Sequence, residues 1–386
     1  MEGRRVKIMK AVAVARDMVT PYGWGVDPCW EGLLSGVTAI RRIDRFSTAN
    51  LQTQNAATVP GLKISRNESI IMQMITPLLT KIAPEIPHET FVILATTTGE
   101  IEILQRSILN SKSEAKKSRP GHLLGKIISL AGTCGRGMVV SAACASSSAA
   151  VSKAAYMIRN RELDCVLVVA CDCVSEFVTA GFSSLMALDP DKAKPFDKNR
   201  RGLSLGEAAG FMLIMSGERA AREKRPVIGE IAGWGLTNDA NHITGPSKDG
   251  SGLSRAVYNA LRSADLSENE IGSISAHGTG TIYNDSMEIR AIKKVFGKRP
   301  LPVYSVKGGT GHTLGAAGLL EIIIAFESLN RLVVPPTVNL RDIDREAEGW
   351  VSSGPQSFER PVTLSTNSGF GGVNSALVLK KAGTIL

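Results

Sequence analysis

One cysteine follows an apolar run in the stretch 139–150 (VVSAACASSSAA). The small, alanine-rich residues after it predict a helix that extends to about Arg159. If the apolar run is a buried strand, Cys144 lies at or near the N-terminus of that helix. Unpaired N–H groups and the positive end of the helix dipole would then favour a thiolate nucleophile. A small buried cysteine that only packs is the alternative, and this stretch alone leaves both interpretations open.

Polar, glycine-rich clusters follow three apolar runs in the second half of the chain. His277 lies in HGTGT, Lys307 and His312 lie in KGGTGH, and Phe370 lies in the run 366–374 (TNSGFGGVN). Loops at the carboxyl ends of strands are where α/β proteins build active sites. One histidine there is commonly structural, but two histidines and a cysteine in such loops favour catalysis.

The glycine-rich runs have competing interpretations. The run 307–312 does not match the phosphate-binding pattern G-x-x-x-x-G-K-[ST], so nucleotide binding is disfavoured. The pair Gly371-Gly372 after Phe370 is either a plain turn or a backbone whose N–H groups face a pocket and bind an oxyanion.

Short apolar strands alternate with helical patterns along the chain, which predicts an α/β architecture with a buried, mostly parallel sheet. The clearest strands are 91–95, 165–170 and 211–215, and the clearest helices are 69–82 and 252–264. The rhythm restarts near residue 227. We therefore expect two similar halves, 1–226 with the cysteine and 227–386 with the two histidines.

Composition narrows the function classes. The 386 residues carry a net charge of +9 and are 43% apolar, so a large core is expected. The charge fits either an ordinary basic surface or an acidic partner. Aromatic residues make up only 5% and do not interleave with a basic run, so a nucleic-acid partner is not expected. With no apolar run long enough to span a membrane and no secretory signal, the sequence predicts a cytoplasmic protein.

The six cysteines have irregular spacings and no C-x-x-C pair, so a disulfide framework is not expected. Cys171 and Cys173 would point the same way from a strand. No histidine or cysteine cluster lies beside them, so we expect core packing rather than a metal site.

Together these motifs resemble the elongating β-ketoacyl-acyl carrier protein synthases, the type II ketosynthases of the thiolase superfamily. The resemblance is carried by Cys144 in ACASS, His277 in HGTGT, KGGTGH at 307–312 and GFGGVN at 369–374, and it extends to PFDKNR at 195–200, GEAAG at 206–210 and VPPTVNL at 334–340. It implies a duplicated α-β-α-β-α five-layer thiolase-like fold, no metal or other cofactor, and usually a homodimer.

The resemblance also implies roles for individual residues. Cys144 would carry the acyl chain as a thioester, and neutral His277 and His312 would drive malonyl decarboxylation through their Nε2–H groups. Lys307 and Glu321 would support the histidines from behind. The substrate-binding residues would be Thr279 and Thr281, which contact the pantetheine arm, with Phe370 as a gate and Gly371 beside it. The thin helix after Cys144 would pass close to its counterpart from the other half.

The implied partner is an acidic acyl carrier protein that presents acyl- or malonyl-phosphopantetheine. Its expected docking residues are Arg66, Arg200, Arg201 and the basic loop 112–119. The region 107–137 is short for the family, which leaves a heterodimer with a second ketosynthase-like chain open.

Other functions fit less well. A non-elongating, chain-length-factor-like subunit usually lacks the cysteine that is present here. A thiolase would need a second catalytic cysteine late in the chain, and none follows Cys173. A plain binding module would not need two histidines and a cysteine in separate loops.

Overall fold

The computed structural model describes residues 9–65, 68–109 and 115–384. The predicted docking residue Arg66 and the start of the basic loop 112–119 lie outside these ranges. The strands are β1 Ala11–Thr20, β2 Gly23–Trp24, β3 Arg41–Arg42, β4 Asn55–Ala56, β5 Phe91–Ala95, β6 Gly137–Val140, β7 Cys165–Asp172, β8 Ala208–Ser216, β9 Gly229–Asn238, β10 Ser273–Ser275, β11 Val303–Tyr304, β12 Val333–Val334, β13 Gln356–Ser357, β14 Val362–Gly369 and β15 Val373–Lys381. The helices are α1 Val26–Leu34, α2 Ile70–Ile82, α3 Ile101–Leu109, α4 Pro120–Ala131, α5 Ser146–Arg159, α6 Glu176–Ser184, α7 Gly217–Arg222, α8 Ser251–Ala264, α9 Ile282–Phe296, α10 Lys307–Thr310 and α11 Ala317–Arg331.

Most strands join one 11-stranded sheet in the order β11-β10-β14-β15-β9-β1-β8-β7-β5-β6, with β2 attached to β1. Strand β5 is parallel to β6 and β7, and β10 is parallel to β11 and β14, whereas the other pairs are antiparallel. The prediction of a mostly parallel sheet is therefore wrong. Helices cover both faces of antiparallel strands too, so β8 is also a nearly continuous apolar run and its sequence pattern does not reveal its direction.

Helices and the two halves of the sheet stack in five layers. Strands β1 and β9 share only three residue pairs, and on either side of this junction the sheet forms two halves. Helices α5 and α11 contact strands of both halves and share the central hydrophobic core. Helices α2 and α4 cover one outer face and α8 and α9 the other, each over its own core cluster. This is the α-β-α-β-α order expected from the resemblance, while the domain boundary near residue 227 stays a prediction.

Helices α5 and α11 approach each other closely, as expected for a helix rich in small residues. A Cβ atom added to Gly318 would lie 2.8 Å from the backbone nitrogen of Ser148. The hydroxyl of Ser147 accepts a hydrogen bond from the N–H of Leu319 at 2.8 Å. Small side chains on both helices therefore let the central layer bring the two halves together.

Local signals determine where the outer helices begin and end. Helix α2 begins after Ser69, whose hydroxyl accepts the N–H of Met72 at 3.1 Å. Helix α4 has Pro120 in its first turn and ends at Gly132, which has a left-handed φ of 66°. Both helices cover the outer face of the first half with apolar side chains.

All six cysteines are free, and Cys171 and Cys173 are buried in the outer core of the first half, as predicted. Within the described ranges, no helix combines the length and the apolar character needed to cross a membrane.

Candidate active site

A tight turn between β6 and α5 presents Cys144. The residue before it, Ala143, has a left-handed φ of 47°, which is unfavourable for a residue with a Cβ atom. The hydroxyl of Ser146 closes the turn, since it accepts the N–H of Ala142 at 2.8 Å and donates to the carbonyl of Ala143 at 2.6 Å. Cys144 therefore lies directly before the first turn of α5, as the sequence predicted.

The Cys144 thiol is buried, with the residue only 8% exposed. Burial raises the pKa of Cys144 to about 11, while the charge of Lys307 and the backbone N–H groups of Phe370 and Cys144 oppose this rise. The prediction of an easily ionised thiol is therefore wrong for the resting protein, because desolvation outweighs the favourable groups. The two N–H groups that point at the sulfur form a site for a negatively charged atom.

The structure brings Cys144, His277 and His312 together. The Cys144 sulfur and one ring nitrogen of each histidine all lie within 4.8 Å of one another. The two imidazoles are arranged edge to face, with centroids 5.4 Å apart and planes at 85°. All three side chains line one cavity of about 490 Å³. Loops that are far apart in sequence thus form a single site.

Lys307 determines the tautomer of His277. Its ammonium lies 3.2 Å from His277 Nδ1, and an ammonium only donates, so Nδ1 is an acceptor and the ring proton is on Nε2. Burial, followed by the charges of Lys307 and His312, lowers the pKa of His277 well below its usual range. His277 is therefore a neutral imidazole with Nε2–H as its free donor.

A backbone group determines the tautomer of His312. The N–H of Leu314 donates to His312 Nδ1 at 3.3 Å, which again leaves the ring proton on Nε2. Leu314, which makes this contact from two residues away, has a left-handed φ of 54°. Burial and the charge of Lys307 lower the pKa of His312 well below its usual range.

Behind the histidines lies a fully buried ion pair between Lys307 and Glu321, each 1% exposed. Lys307 also donates to the carbonyl of His277, and Asn367 donates to the second oxygen of Glu321 at 2.6 Å. Burial raises the pKa of Glu321, and Lys307 opposes that rise. Neither member of the pair lines the cavity, so the pair supports the histidines from outside the cavity wall.

Two carboxylates on helix α9 hold the His277 loop, and no sequence motif predicted a role for them. Glu288 accepts the N–H groups of His277 and Gly278 at 2.7 and 2.8 Å, and burial raises its pKa to about 7. Asp285 accepts the N–H of Thr279 at 2.9 Å. Their spacing of three residues would have placed both on one face of a helix, had the helix been predicted.

The cavity has polar and aromatic walls where the sequence placed substrate-binding residues. Thr279 and Thr281 line it, with their hydroxyls 2.9 Å apart. Phe370 also lines it and stacks on Phe182 of α6, with centroids 5.8 Å apart. Gly371 lies outside the cavity wall, in an exposed turn with φ of 85°, and donates to the carbonyl of Ile243.

The two described arginines that were predicted to dock the carrier protein differ in exposure. Arg200 is only 6% exposed, and its guanidinium bonds Asp344, Ser286 and backbone carbonyls. The docking prediction is wrong for Arg200, because a guanidinium with satisfied donors inside the protein is not available to a partner. Arg201 lies at the rim of the cavity, and its side chain is 57% exposed with a long contact to Asp189.

Cys144, His277 and His312 also form the one cluster of metal-ligand type found among the described residues. The Lys307 ammonium, 3.2 Å from His277 Nδ1, makes the position unfavourable for a cation. Both imidazoles also carry their proton on Nε2, which a metal would have to displace. The arrangement suits a nucleophile beside two neutral hydrogen-bond donors better than a metal site.

Comparisons with known proteins agree with this geometry. Residues 111–220 match the beta-ketoacyl synthase N-terminal domain, and residues 228–341 match the beta-ketoacyl synthase C-terminal domain. The 3-oxoacyl-[acyl-carrier-protein] synthase 2 of Vibrio cholerae serotype O1 is 31% identical over 96% of this chain and 99% of its own.

Solved structures show the same fold. The ishigamide ketosynthase/chain length factor superposes with a TM-score of 0.88 at 28% identity, over 97% of this chain and 100% of that one. A beta-ketoacyl synthase from Burkholderia phymatum STM815 gives a TM-score of 0.87 at 25% identity, over the same shares. The chain therefore belongs to the β-ketoacyl synthase family of condensing enzymes and has the thiolase-like α/β fold that the sequence predicted.

Proposed function

We propose that this chain is a β-ketoacyl-acyl carrier protein synthase, which condenses a Cys144-bound acyl group with a malonyl-carrier thioester in fatty acid or polyketide synthesis. One observation carries the proposal: Cys144 lies beside two neutral imidazoles that both present Nε2–H. A nucleophile with two uncharged donors suits a reaction in which negative charge develops on a thioester oxygen.

In the first half-reaction the Cys144 sulfur attacks the acyl thioester carbonyl. The carbonyl oxygen takes the negative charge and is held by the N–H groups of Cys144 and Phe370, which point at the sulfur. Collapse of the intermediate breaks the bond to the carrier's sulfur. The proton lost by the Cys144 thiol ends on the released carrier thiol, so the step balances.

In the second half-reaction the malonyl thioester loses carbon dioxide, and its electrons form an enolate. The Nε2–H groups of His277 and His312 donate to the enolate oxygen. The low pKa values of both histidines keep the rings neutral before and after decarboxylation. The enolate carbon attacks the acyl-Cys144 carbonyl, and the Cys144 thiolate leaves and takes up one proton from water to regenerate the thiol. The product is a β-ketoacyl-carrier thioester that is two carbons longer.

The cavity wall supplies binding roles. We assign Thr279 and Thr281 to the pantetheine arm, since both residues line the cavity and their hydroxyls pair with each other. We assign Phe370 to gating, because it lines the same cavity as Cys144 and its ring stacks on Phe182. We assign Lys307 and Glu321 to support of the histidines, because Glu321 holds the Lys307 ammonium in place beside His277 Nδ1.

The function is tested with acyl- and malonyl-carrier proteins and the variant Cys144→Ala. We expect the wild-type protein to release carbon dioxide, gain an acyl mass on Cys144, and form the longer product. The variant should lose condensation while retaining some malonyl decarboxylation, because the histidines remain. A wild-type protein that never becomes acylated at Cys144, or a variant that still condenses, would falsify the proposal.

We further propose that the acidic carrier protein docks at the cavity rim around Arg201. Its side chain is 57% exposed and reaches the cavity that holds the cysteine. Arg201→Glu should raise KM for carrier-bound substrates several-fold and leave kcat nearly unchanged. Arg262→Glu, an exposed arginine of α8 outside this cavity, is the matched control. Equal KM values for the two variants would place docking elsewhere.

The assembly is also a proposal. A homodimer remains the expected state, and the similarity to a ketosynthase/chain length factor keeps a heterodimer open. The non-elongating role is not favoured, since the residues needed for condensation converge in this chain. Activity of the protein purified alone would exclude an obligate partner chain. The cytoplasmic location stays a prediction from the sequence.

A further inference from the structure

A buried carboxylate outside the cavity accepts hydrogen bonds from two segments next to the active site. Asp172 is fully buried and is the last residue of β7. Its two oxygens accept hydrogen bonds from the turn 96–98 that follows the parallel neighbour β5, and from the turn that follows His312. It does not line the cavity, and the mechanism above does not use it.

One side of the Asp172 carboxylate organises the turn of three threonines. The N–H groups of Thr97 and Thr98 donate to it at 2.9 and 3.1 Å. The hydroxyls of Thr96, Thr97 and Thr98 donate at 2.8, 2.8 and 3.1 Å. Burial raises the pKa of Asp172, and the hydrogen bonds from these donors oppose that rise.

The other contact of Asp172 is with the turn that follows His312. The N–H of Gly315 donates to Asp172 Oδ2 at 2.8 Å. A Cβ atom at Gly315 would lie 2.7 Å from that oxygen and 3.0 Å from the nitrogen of Thr97, so the close approach requires glycine. Gly315 directly follows Leu314, whose N–H donates to His312 Nδ1.

We propose that Asp172 is a positioning residue for His312, because it anchors the turn 314–316 whose backbone keeps the His312 proton on Nε2. The proposal rests on the proposed function for its kinetic consequence. The structural part does not, because the tautomer of His312 is a property of the resting protein.

The geometry separates this role from general packing. The backbone of His312 itself is fixed from another side, since its N–H donates to the carbonyl of Ser204 at 2.7 Å. We therefore expect loss of Asp172 to leave the backbone of His312 in place and to release the turn 314–316 together with the threonine turn 96–98. The imidazole is then free to exchange its ring proton between the two nitrogens.

Three variants test this: Asp172→Asn, Asp172→Ala and Thr97→Val. Asparagine keeps the shape of the side chain but has only one oxygen that can accept backbone N–H groups. Alanine has no acceptor for either turn. Thr97→Val removes one hydroxyl donor and leaves the Gly315 contact intact, so it is the matched control. If the alanine variant does not fold, the asparagine variant decides.

The first readout is the ¹⁵N spectrum of histidine-labelled protein, with His312 assigned through its own variant. We expect Nε2–H alone in the wild type and in Thr97→Val, and a population with Nδ1–H in Asp172→Asn. The second readout is kinetic: kcat for condensation falls about 10- to 100-fold in Asp172→Asn with KM for malonyl-carrier within about 2-fold, as when a supporting group behind a functional side chain is lost.

An unchanged His312 tautomer in Asp172→Asn overturns the proposal, and so does a Thr97→Val variant that loses as much kcat as Asp172→Asn. A wild type that does not condense at all instead refutes the proposed function. In that case the ¹⁵N spectrum still decides whether Asp172 controls His312.

Discussion

The proton positions in the site define what each catalytic residue is able to do. Both histidines have Nδ1 occupied as an acceptor, by Lys307 for His277 and by Leu314 for His312. Each Nε2 carries a proton, so neither ring has a free lone pair with which to take the Cys144 proton. The residues that favour the thiolate are therefore Lys307 and the two backbone N–H groups, and not a general base.

The burial of Cys144 predicts how its reactivity depends on pH. With a pKa of about 11, the thiolate fraction at pH 7 is only about one in 10⁴ and rises about tenfold per pH unit. Alkylation of Cys144 by iodoacetamide, followed by peptide mass spectrometry, should therefore keep accelerating from pH 7 to pH 10. Cys144→Ala gives the background from the other cysteines. A rate that levels off below pH 8 would mean that the helix end and Lys307 outweigh burial.

At the scale of elements, the sequence predicted best where a helix or strand has one simple pattern. The helix 69–82 is α2 with its cap Ser69, the strand 91–95 is β5, and the helix 252–264 is α8 to within one residue. Helix α5 also ends at Arg159 as predicted. In each case a cap, an apolar face or a short apolar run identifies the element.

Helices α9 and α11 had no such pattern. The inward face of α9 carries the carboxylates Asp285 and Glu288, which interrupt its apolar period. Helix α11 is buried over 13 of its 15 residues, including Glu321 and Glu327, so it has no exposed polar face to mark its period.

The residues of the candidate site also fall into two groups, those that the sequence reveals and those that it does not. Cys144, His277, Lys307 and His312 stand in glycine- or alanine-rich motifs that are visible in the sequence. The contacts of Asp172 join residues up to 143 positions apart, and no spacing along the chain reveals them. Supporting residues of this kind become visible only when the strands are placed side by side.

The close approach of α5 and α11 makes Gly318 sensitive to substitution. In Gly318→Ala the new Cβ would meet the nitrogen and Cβ of Ser148 at 2.8 and 2.9 Å, and backbone cannot easily move away. We expect the free energy of unfolding to fall by about 1–3 kcal/mol, as for other overpacked cores, measured by urea titration.

The control is Gly125→Ala, in the exposed middle of α4, where an added Cβ meets nothing within 4 Å. Alanine should stabilise that helix by roughly 0.5–1 kcal/mol. If Gly318→Ala is as stable as this control, the central helices are less tightly packed than described.

At the scale of the whole molecule, the sheet has an edge at β6, which pairs only with β5 among the described strands. The carbonyls of Arg136 and Val140 accept N–H groups on the β5 side, at 3.0 and 3.4 Å. Because hydrogen bonding alternates along a strand, the N–H of Val139 points outward from the sheet. An open edge of this kind is a ready surface for a second copy of the chain.

This edge predicts a variant that separates dimerisation from folding. Val139→Pro removes the outward N–H and leaves the pairing with β5 intact, so, if the proposed homodimer forms through this edge, we expect light scattering to show a dimer for the wild type and monomers for the variant. Val139→Thr keeps both the N–H and the shape, and should remain dimeric. A dimeric proline variant would place the interface on another surface.

The division of the site between distant parts of the chain also has a consequence for protein synthesis. Cys144 leaves the ribosome 226 residues before Phe370, the last of the groups that surround it. At about 5–20 residues per second this gap lasts roughly 10–45 s. During that interval the nascent chain carries its thiol without the Phe370 N–H, so the complete oxyanion site exists only after nearly the whole protein has been translated.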